Sequence, residues 1–425
     1  MSCKWPTVRL GDHIDSCLGK MLDQKKNKGT FHKYLGNSHV RWGVFDLKDL
    51  PEMRFEDAEH DRYSLKKGDL VICEGGEPGR SAIWECDESI KIQKALHRVR
   101  PHYSLNNYYL FYWLLDASKS SKLEPYFTGT TIKHLTGKAL ASLPIELPPI
   151  DIQKNIAKVL KSLDDNIHLN TQTNQTLEEM AQAIFKSWFV DFDPVKAKMN
   201  GQQPVGMDDA TAALFPDKLV DSELGLIPEG WDVGTLGDVA QYCSSRISIE
   251  DVSLENYIST ENMLAEKNGV TTASKLPTAK MIAEYKTGDI LVSNIRPYFK
   301  KIWLAEGNGG RSNDVLGFEP KAANTSLFLM NLLYQDSFFE YMTRTAKGAK
   351  MPRGDKTSIM NWEMPISSVE LREAFSTIVD KFYKLINQNR AQNESLEALR
   401  DTLLPKLLSG EIELDQAQDL TEVSP

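Results

Sequence analysis

The chain has 425 residues, 41% of them apolar and 26% charged, which is the balance of a soluble globular protein with two to four domains. Its longest strongly apolar run, Tyr108–Leu115, falls far short of the roughly 20 residues that cross a bilayer, and Met1 to Leu10 holds no apolar leader. Five cysteines (3, 17, 73, 86, 243) with no CxxC pair speak against a disulfide framework or a zinc site and fit a reducing cytoplasm. A net charge of −9 speaks at first against nucleic acid, but the charge is uneven. Residues 1–150 carry +3, 151–225 carry −5, 226–366 carry −2 and 367–425 carry −5. Two long segments are close to neutral, and the excess acid lies in two shorter ones.

In chain order the same signals occur twice. Trp5…Leu10-Gly11-Asp12 returns as Trp231…Leu236-Gly237-Asp238. Gly68-Asp69, a turn signal before the β-rich run Leu70–Cys73, returns as Gly288-Asp289 before Ile290–Ser293. The apolar stretches near 108–116 and 325–334 are expected core helices. Leu143-Pro144-Ile145 returns as Met364-Pro365-Ile366. Then Asn170, Asn174, Leu177 and Glu178 fall on Asn389, Asn393, Leu396 and Glu397, an offset of 219. Ordered matches with slowly drifting offsets indicate an internal duplication. The fold class expected is mixed α/β (α+β), in two tandem globular halves, each followed by a long helix.

The helices are the clearest local feature. Ile152 to Phe189 holds neither proline nor glycine. Apolar residues recur every seven positions at Ile156, Leu163, Leu177 and Ile184, and again at Leu160, Ile167, Ala181 and Trp188. The second copy shows Phe375, Phe382, Leu396 and Leu403, with Val379, Ile386 and Leu407. About 38 residues make a rod of roughly 57 Å. Pro405 predicts a kink or an early end of the second helix. An antiparallel pairing in which residue numbers sum to 563 sets Asn170 against Asn393 and Asn174 against Asn389, so that the polar interruptions meet each other. Leu163 against Arg400 is then a weak spot. Prolines 194, 204, 216 and 228, with glycines 201, 206, 225 and 230, mark a partly ordered linker. The acidic end, Asp415 to Pro425, is expected to be disordered. The expected division is 1–149, helix 150–192, linker 193–228, 229–366, helix 367–409 and tail 410–425.

No catalytic constellation stands out. Gly75-Gly76-Glu77-Pro78-Gly79-Arg80-Ser81 encloses three residues between Gly75 and Gly79 and has Arg80 where a phosphate loop has Lys, so it reads as a tight turn. Asp191-Phe192-Asp193-Pro194 lacks the second proline of the amino-methyltransferase motif and reads as a helix end. HExxH and GxSxG are absent. Two stretches suit nucleic acid: Lys347, Lys350, Arg353 and Lys356 on a glycine-bearing segment, and the equivalent Thr130, Thr131, Lys133 and His134. Each lies just before its Pro-Ile junction. Weaker candidates follow the paired strands: Asn294 and Arg296 in one half, Arg80 and Ser81 in the other.

The order of domain, Leu143–Pro149 junction, long helix with an Asn-rich centre and linker, all repeated, resembles the specificity subunit of type I restriction–modification enzymes. The pieces that carry the resemblance are Leu143–Pro149 running into Ile152–Leu163, then Met180–Phe192, and Leu396–Leu408 followed by Ser409-Gly410-Glu411-Ile412. The family's Glu-Gln at the helix start appears here as Asp151 before Gln153 and is missing from the second half, a departure that touches capping rather than function. The resemblance implies a non-catalytic reader of a bipartite, asymmetric double-stranded DNA site, with two target-recognition domains and helices forming an antiparallel coiled coil with pseudo-twofold symmetry. It implies as partners two modification subunits carrying S-adenosylmethionine, and restriction subunits using ATP and Mg. It places the chain in the cytoplasm and implies no cofactor or metal of its own. The competing readings are a two-headed coiled-coil scaffold that binds protein only, and a nuclease with an unrecognised site.

Overall fold

The structure, a computed structural model, describes residues 5–23 and 27–412. The expected acidic tail therefore lies outside the described residues. The chain divides into two compact units: residues up to Thr171 with those from Asn389 onward, and Gln172–Gln388. Each unit thus combines one globular half with part of both long helices.

In the first unit a four-stranded antiparallel sheet runs in the order Ile14–Leu18, Leu96–Pro101, Leu70–Cys73, Ser81–Ile83. The second unit has the same order: Ala240–Tyr242, Val315–Pro320, Ile290–Ser293, Ile302–Leu304. The turn signals act as expected. Gly68 and Gly288 adopt φ of 90° and 88°, and the next residue's carboxylate, Asp69 or Asp289, accepts the N–H of Lys66 or Lys286 at 2.7 Å. The strands that follow are apolar on both faces because each is sandwiched. Leu70 and Ile72 join one core with Tyr109–Leu115, while Val71 and Cys73 face another with Leu35, Trp84 and Ile92. In the second unit Ile290 and Val292 face Phe328–Leu333, and Leu291 faces Ile258, Met263 and Val315. A second sheet, of three strands in the first unit and four in the second, includes one parallel pair in each, Tyr34 with Lys91 and Tyr257 with Gly310. The junctions form strands that pair with each half's beginning: Thr7–Arg9 with Pro144–Glu146, and Asp232–Thr235 with Glu363–Ile366.

The long helices span Ile150–Phe189 and Val369–Ser409. In the first unit Ile156, Leu160 and Leu163 share a core with Leu396, Leu403 and Leu407. There Asn170 Nδ2 donates to Asn393 Oδ1 at 2.9 Å, so the helices run antiparallel in the register that sets these two against each other. In the second unit Trp188 meets Phe375 with ring centroids 5.9 Å apart, and Asn174 donates to the Ile386 carbonyl at 3.4 Å. At the expected weak spot the Arg400 guanidinium pairs with Asp164 at 2.8 Å, and Asp164 also accepts from the Tyr112 hydroxyl at 2.7 Å.

Pro405 does not end the second helix, which continues to Ser409. Leu403, Leu404, Leu407 and Leu408 are all buried around it, and that burial outweighs the one lost backbone bond. Gln153 is fully buried; its amide takes the Asn106 N–H and donates to the carbonyls of Ser104 and Pro148, tying the helix start to the domain. At the matching place, Arg372 donates back to the Ser368 carbonyl at 3.3 Å. The stretch after the first helix folds as helices Asp193–Met199 and Asp209–Ala213 and a hairpin of Leu219–Ser222 with Gly225–Pro228, with Val195, Phe215 and Ile227 in the second unit's core.

Candidate nucleic-acid interface

The two candidate loops of each half, some 50 residues apart in sequence, meet at one edge of its unit. In the first unit Gly75 bridges to His134, and Leu135 N–H donates to the Glu74 carbonyl at 2.7 Å. In the second, Ile295 bridges to Arg353, Gly354 N–H donates to the Asn294 carbonyl at 3.1 Å, and Arg296 N–H to the Pro352 carbonyl at 2.8 Å. The later loop of each pair is a closed hairpin. Thr128 and His134 exchange two backbone hydrogen bonds of 2.8 Å; Lys347 and Arg353 exchange bonds of 2.8 and 2.9 Å. Gly129 and Gly348, at φ of 95° and 100°, make the bend that an L side chain resists.

The side chains on this edge differ in availability. Lys350, Thr130 and Thr131 are exposed and make no side-chain bond among the described residues. Lys133 pairs loosely with Glu124 at 3.8 Å and lies over the Phe127 ring. Lys347 binds Asp355 at 2.5 Å, and that pairing together with the Ser358 N–H holds the Asp355 carboxyl down at about 2. Arg353 pairs with Asp314 at 3.3 Å while remaining more than half exposed. Lys356 lies over Tyr242. Arg296 sits half-buried in a left-handed conformation at φ 49°.

Three expected contacts are not presented at the surface. Ser81 is fully buried because it begins the edge strand Ser81–Ile83, and its hydroxyl has no partner among the described residues. Arg80 turns inward, bonding Glu77 at 3.0 Å and the Asn37 carbonyl at 3.1 Å, and so braces the tight turn. Asn294 is 7% exposed, with Oδ1 unpaired beneath Gly354. Sequence reasoning passed over Ile132 and Met351, which stand in solvent on the two hairpins. Their separation of 219, the offset that holds through the helices, was the available signal.

One group of metal-capable side chains stands among the described residues: Cys243, Asp289 and Glu319, with ligand atoms within 4.8 Å. Its counterpart explains it. In the first unit Arg100 binds both oxygens of Asp69, at 2.7 and 3.0 Å. In the second, Glu319 occupies the Arg100 place, and a cation enters from another strand as Arg311, which donates to the Cys243 carbonyl at 2.8 Å and that of Val315 at 2.6 Å. Burial pushes both the Asp289 carboxyl and the Cys243 thiol up. The group is a rearranged buried-charge network.

With this geometry in hand, likeness to known proteins becomes informative. Residues 3–179 match the family described as the type I restriction modification DNA specificity domain. The specificity subunit of the type I restriction enzyme HindI of Haemophilus influenzae is 24% identical over 441 residues, covering 89% of this chain and 92% of that protein. The MjaIX specificity subunit of Methanocaldococcus jannaschii is 24% identical over 369 residues, covering 82% and 79%. Over most of its length the chain is thus similar to type I specificity subunits. The crystal structure of a type I restriction–modification S subunit from M. genitalium has the same fold, with a TM-score of 0.53 at 17% identity over 95% of this chain and 96% of that one. That likeness shows the specificity-subunit fold. No described helix is long and apolar enough to cross a membrane.

Proposed function

We propose that this chain is the non-catalytic, sequence-specific DNA-recognition subunit of a type I restriction–modification complex. The carrying observation is the repeated edge: both units close the same hairpin with the same backbone bonds but furnish it with different side chains. Lys350 reaches phosphate as a free cation, and Arg353 offers the planar fork that matches guanine O6 and N7. In the first unit the threonine hydroxyls, Lys133 and His134 supply a different set of donors and acceptors. Two unlike edges read two unlike half-sites, so the target is bipartite and asymmetric. Its near-neutral units share the phosphate grip with modification subunits docked on the helices. S-adenosylmethionine chemistry on adenine belongs to those subunits, and ATP and Mg to restriction subunits where the system has them. The complex works on cellular DNA in the cytoplasm.

The test is to express the chain with its modification partner in a methylation-free host and sequence the modified adenines. A two-part, asymmetric motif that disappears without this chain is expected. Methyl transfer by the isolated chain, or a single contiguous target, would overturn the proposal.

A further inference from the structure

Each closed hairpin lifts one apolar side chain into solvent. Ile132 is 63% exposed and Met351 48%. Both occupy the fifth position of a seven-residue loop, Thr-Gly-Thr-Thr-Ile-Lys-His in one unit and Lys-Gly-Ala-Lys-Met-Pro-Arg in the other. The loops share only their glycine, and that glycine lies beneath the carbonyl of the apolar residue. A Cβ on Gly129 would stand 2.3 Å from the Ile132 oxygen, and one on Gly348 3.3 Å from the Met351 oxygen. The frame is thus built to carry that residue outward. A single exposed isoleucine or methionine needs no explanation. The same apolar position held in water on the same frame, in two loops that agree on nothing else but glycine, does.

We infer that Ile132 and Met351 are wedges that press between stacked bases of the DNA, one in each half-site; this rests on the DNA-recognition reading above. Ile and Met are among the side chains that enter a base step, partly unstack it and bend the duplex, because the faces of the bases are the apolar surface that DNA offers. The neighbours select DNA over a protein partner. Lys350 is unpaired among the described residues, and Lys133 and Arg353 keep their side chains 55% exposed, so cations flank each tip where phosphates would pass. A wedge also differs in kind from a phosphate contact: its loss lowers affinity without changing the number of counterions released.

The experiment uses the assembled complex with its modification subunits and duplexes carrying 2-aminopurine at successive positions of each half-site. Wild type should raise the fluorescence at one step per half-site. Ile132→Ala should abolish that rise in one half-site and Met351→Ala in the other. Each should weaken specific binding about tenfold, the low end for one lost base contact, with an unchanged salt slope. Met351→Leu, which keeps the apolar volume, should behave as wild type. Alanine variants that bind and unstack as wild type does would overturn the wedge, as would alanine variants that fail to assemble, since the tips would then be protein contacts. A wild-type complex without site-specific binding would instead overturn the DNA-recognition reading itself.

Discussion

His97 shows how one residue separates two otherwise parallel units. It is buried in the central sheet of the first unit, and its Nε2–H donates to the Leu135 carbonyl at 3.0 Å, directly behind the Thr128–His134 hairpin. Burial holds its imidazole below the ordinary value, against smaller opposing effects of the Leu135 carbonyl and Glu74. Leu316 stands at the matching place of the second unit. The unfolded chain takes up a proton near pH 6.5, while the folded chain resists it until lower pH. Stability from the neutral ring is therefore present above about pH 6.5 and is lost as pH falls from there toward the folded value. Calorimetry should show the melting temperature falling between pH 7 and pH 5. His97→Leu should lower it at pH 7 and flatten that dependence; an undiminished slope would refute the assignment. At the hairpin of the second unit, Lys350→Ala should reduce the salt slope of DNA binding by about one, and Arg353→Ala should cost about 1–3 kcal/mol and relax one base. Gel-shift titrations at several salt concentrations separate the two effects, and equal affinity of both variants with wild type would remove these residues from the interface. Ser81 and Arg80 show the limit of motif reading. Their chemistry was right for DNA, but the strand and the tight turn direct them inward.

At the scale of elements, the helices were the most legible part of the sequence, because a heptad pattern without proline or glycine has few other solutions. Of the two outcomes expected at Pro405, the early end does not occur, for a definite reason. Propensity describes an isolated helix, and four buried leucines hold this one. The asparagine centre behaves as a register pin in the first unit. Asn170 donates to Asn393 Oδ1 at 2.9 Å and Gln392 Oε1 at 2.8 Å, and Asn393 donates back to the Ile167 carbonyl at 3.4 Å. Asn393→Leu strips Asn170 of an acceptor and should cost about 1–3 kcal/mol in urea unfolding. The double variant Asn170→Leu/Asn393→Leu should recover most of that stability, since two leucines pack where two amides bonded, while losing the unique register. A double variant as unstable as the sum of the singles would show that the amides act independently.

At the scale of the whole chain, duplication was readable from ordered matches, and the repeated sheet order follows it. The candidate interface was readable only in part. Glu74–Ser81 and Thr128–His134 become neighbours through the Gly75–His134 bridge, which no local spacing announces. The duplication nevertheless makes a strong claim about modularity. The first unit closes its own core from residues of its own half and the helix segments Ile156–Leu163 and Leu396–Leu408, and the second closes another around Phe185, Phe328 and Phe375. Exchanging residues 1–149 for those of a relative should therefore change one half of the methylated motif and leave the other half intact. The exchange has one structural condition. The incoming domain must offer a hydrogen-bond donor where the Tyr112 hydroxyl meets Asp164, and backbone groups where Ser104 and Asn106 bind Gln153, because these join the domain to the retained helix. A donor that meets this condition should give a hybrid motif in adenine sequencing; one that lacks it should give little methylation at either half. If a well-matched exchange alters both halves, base choice is shared between the units and the modular reading fails.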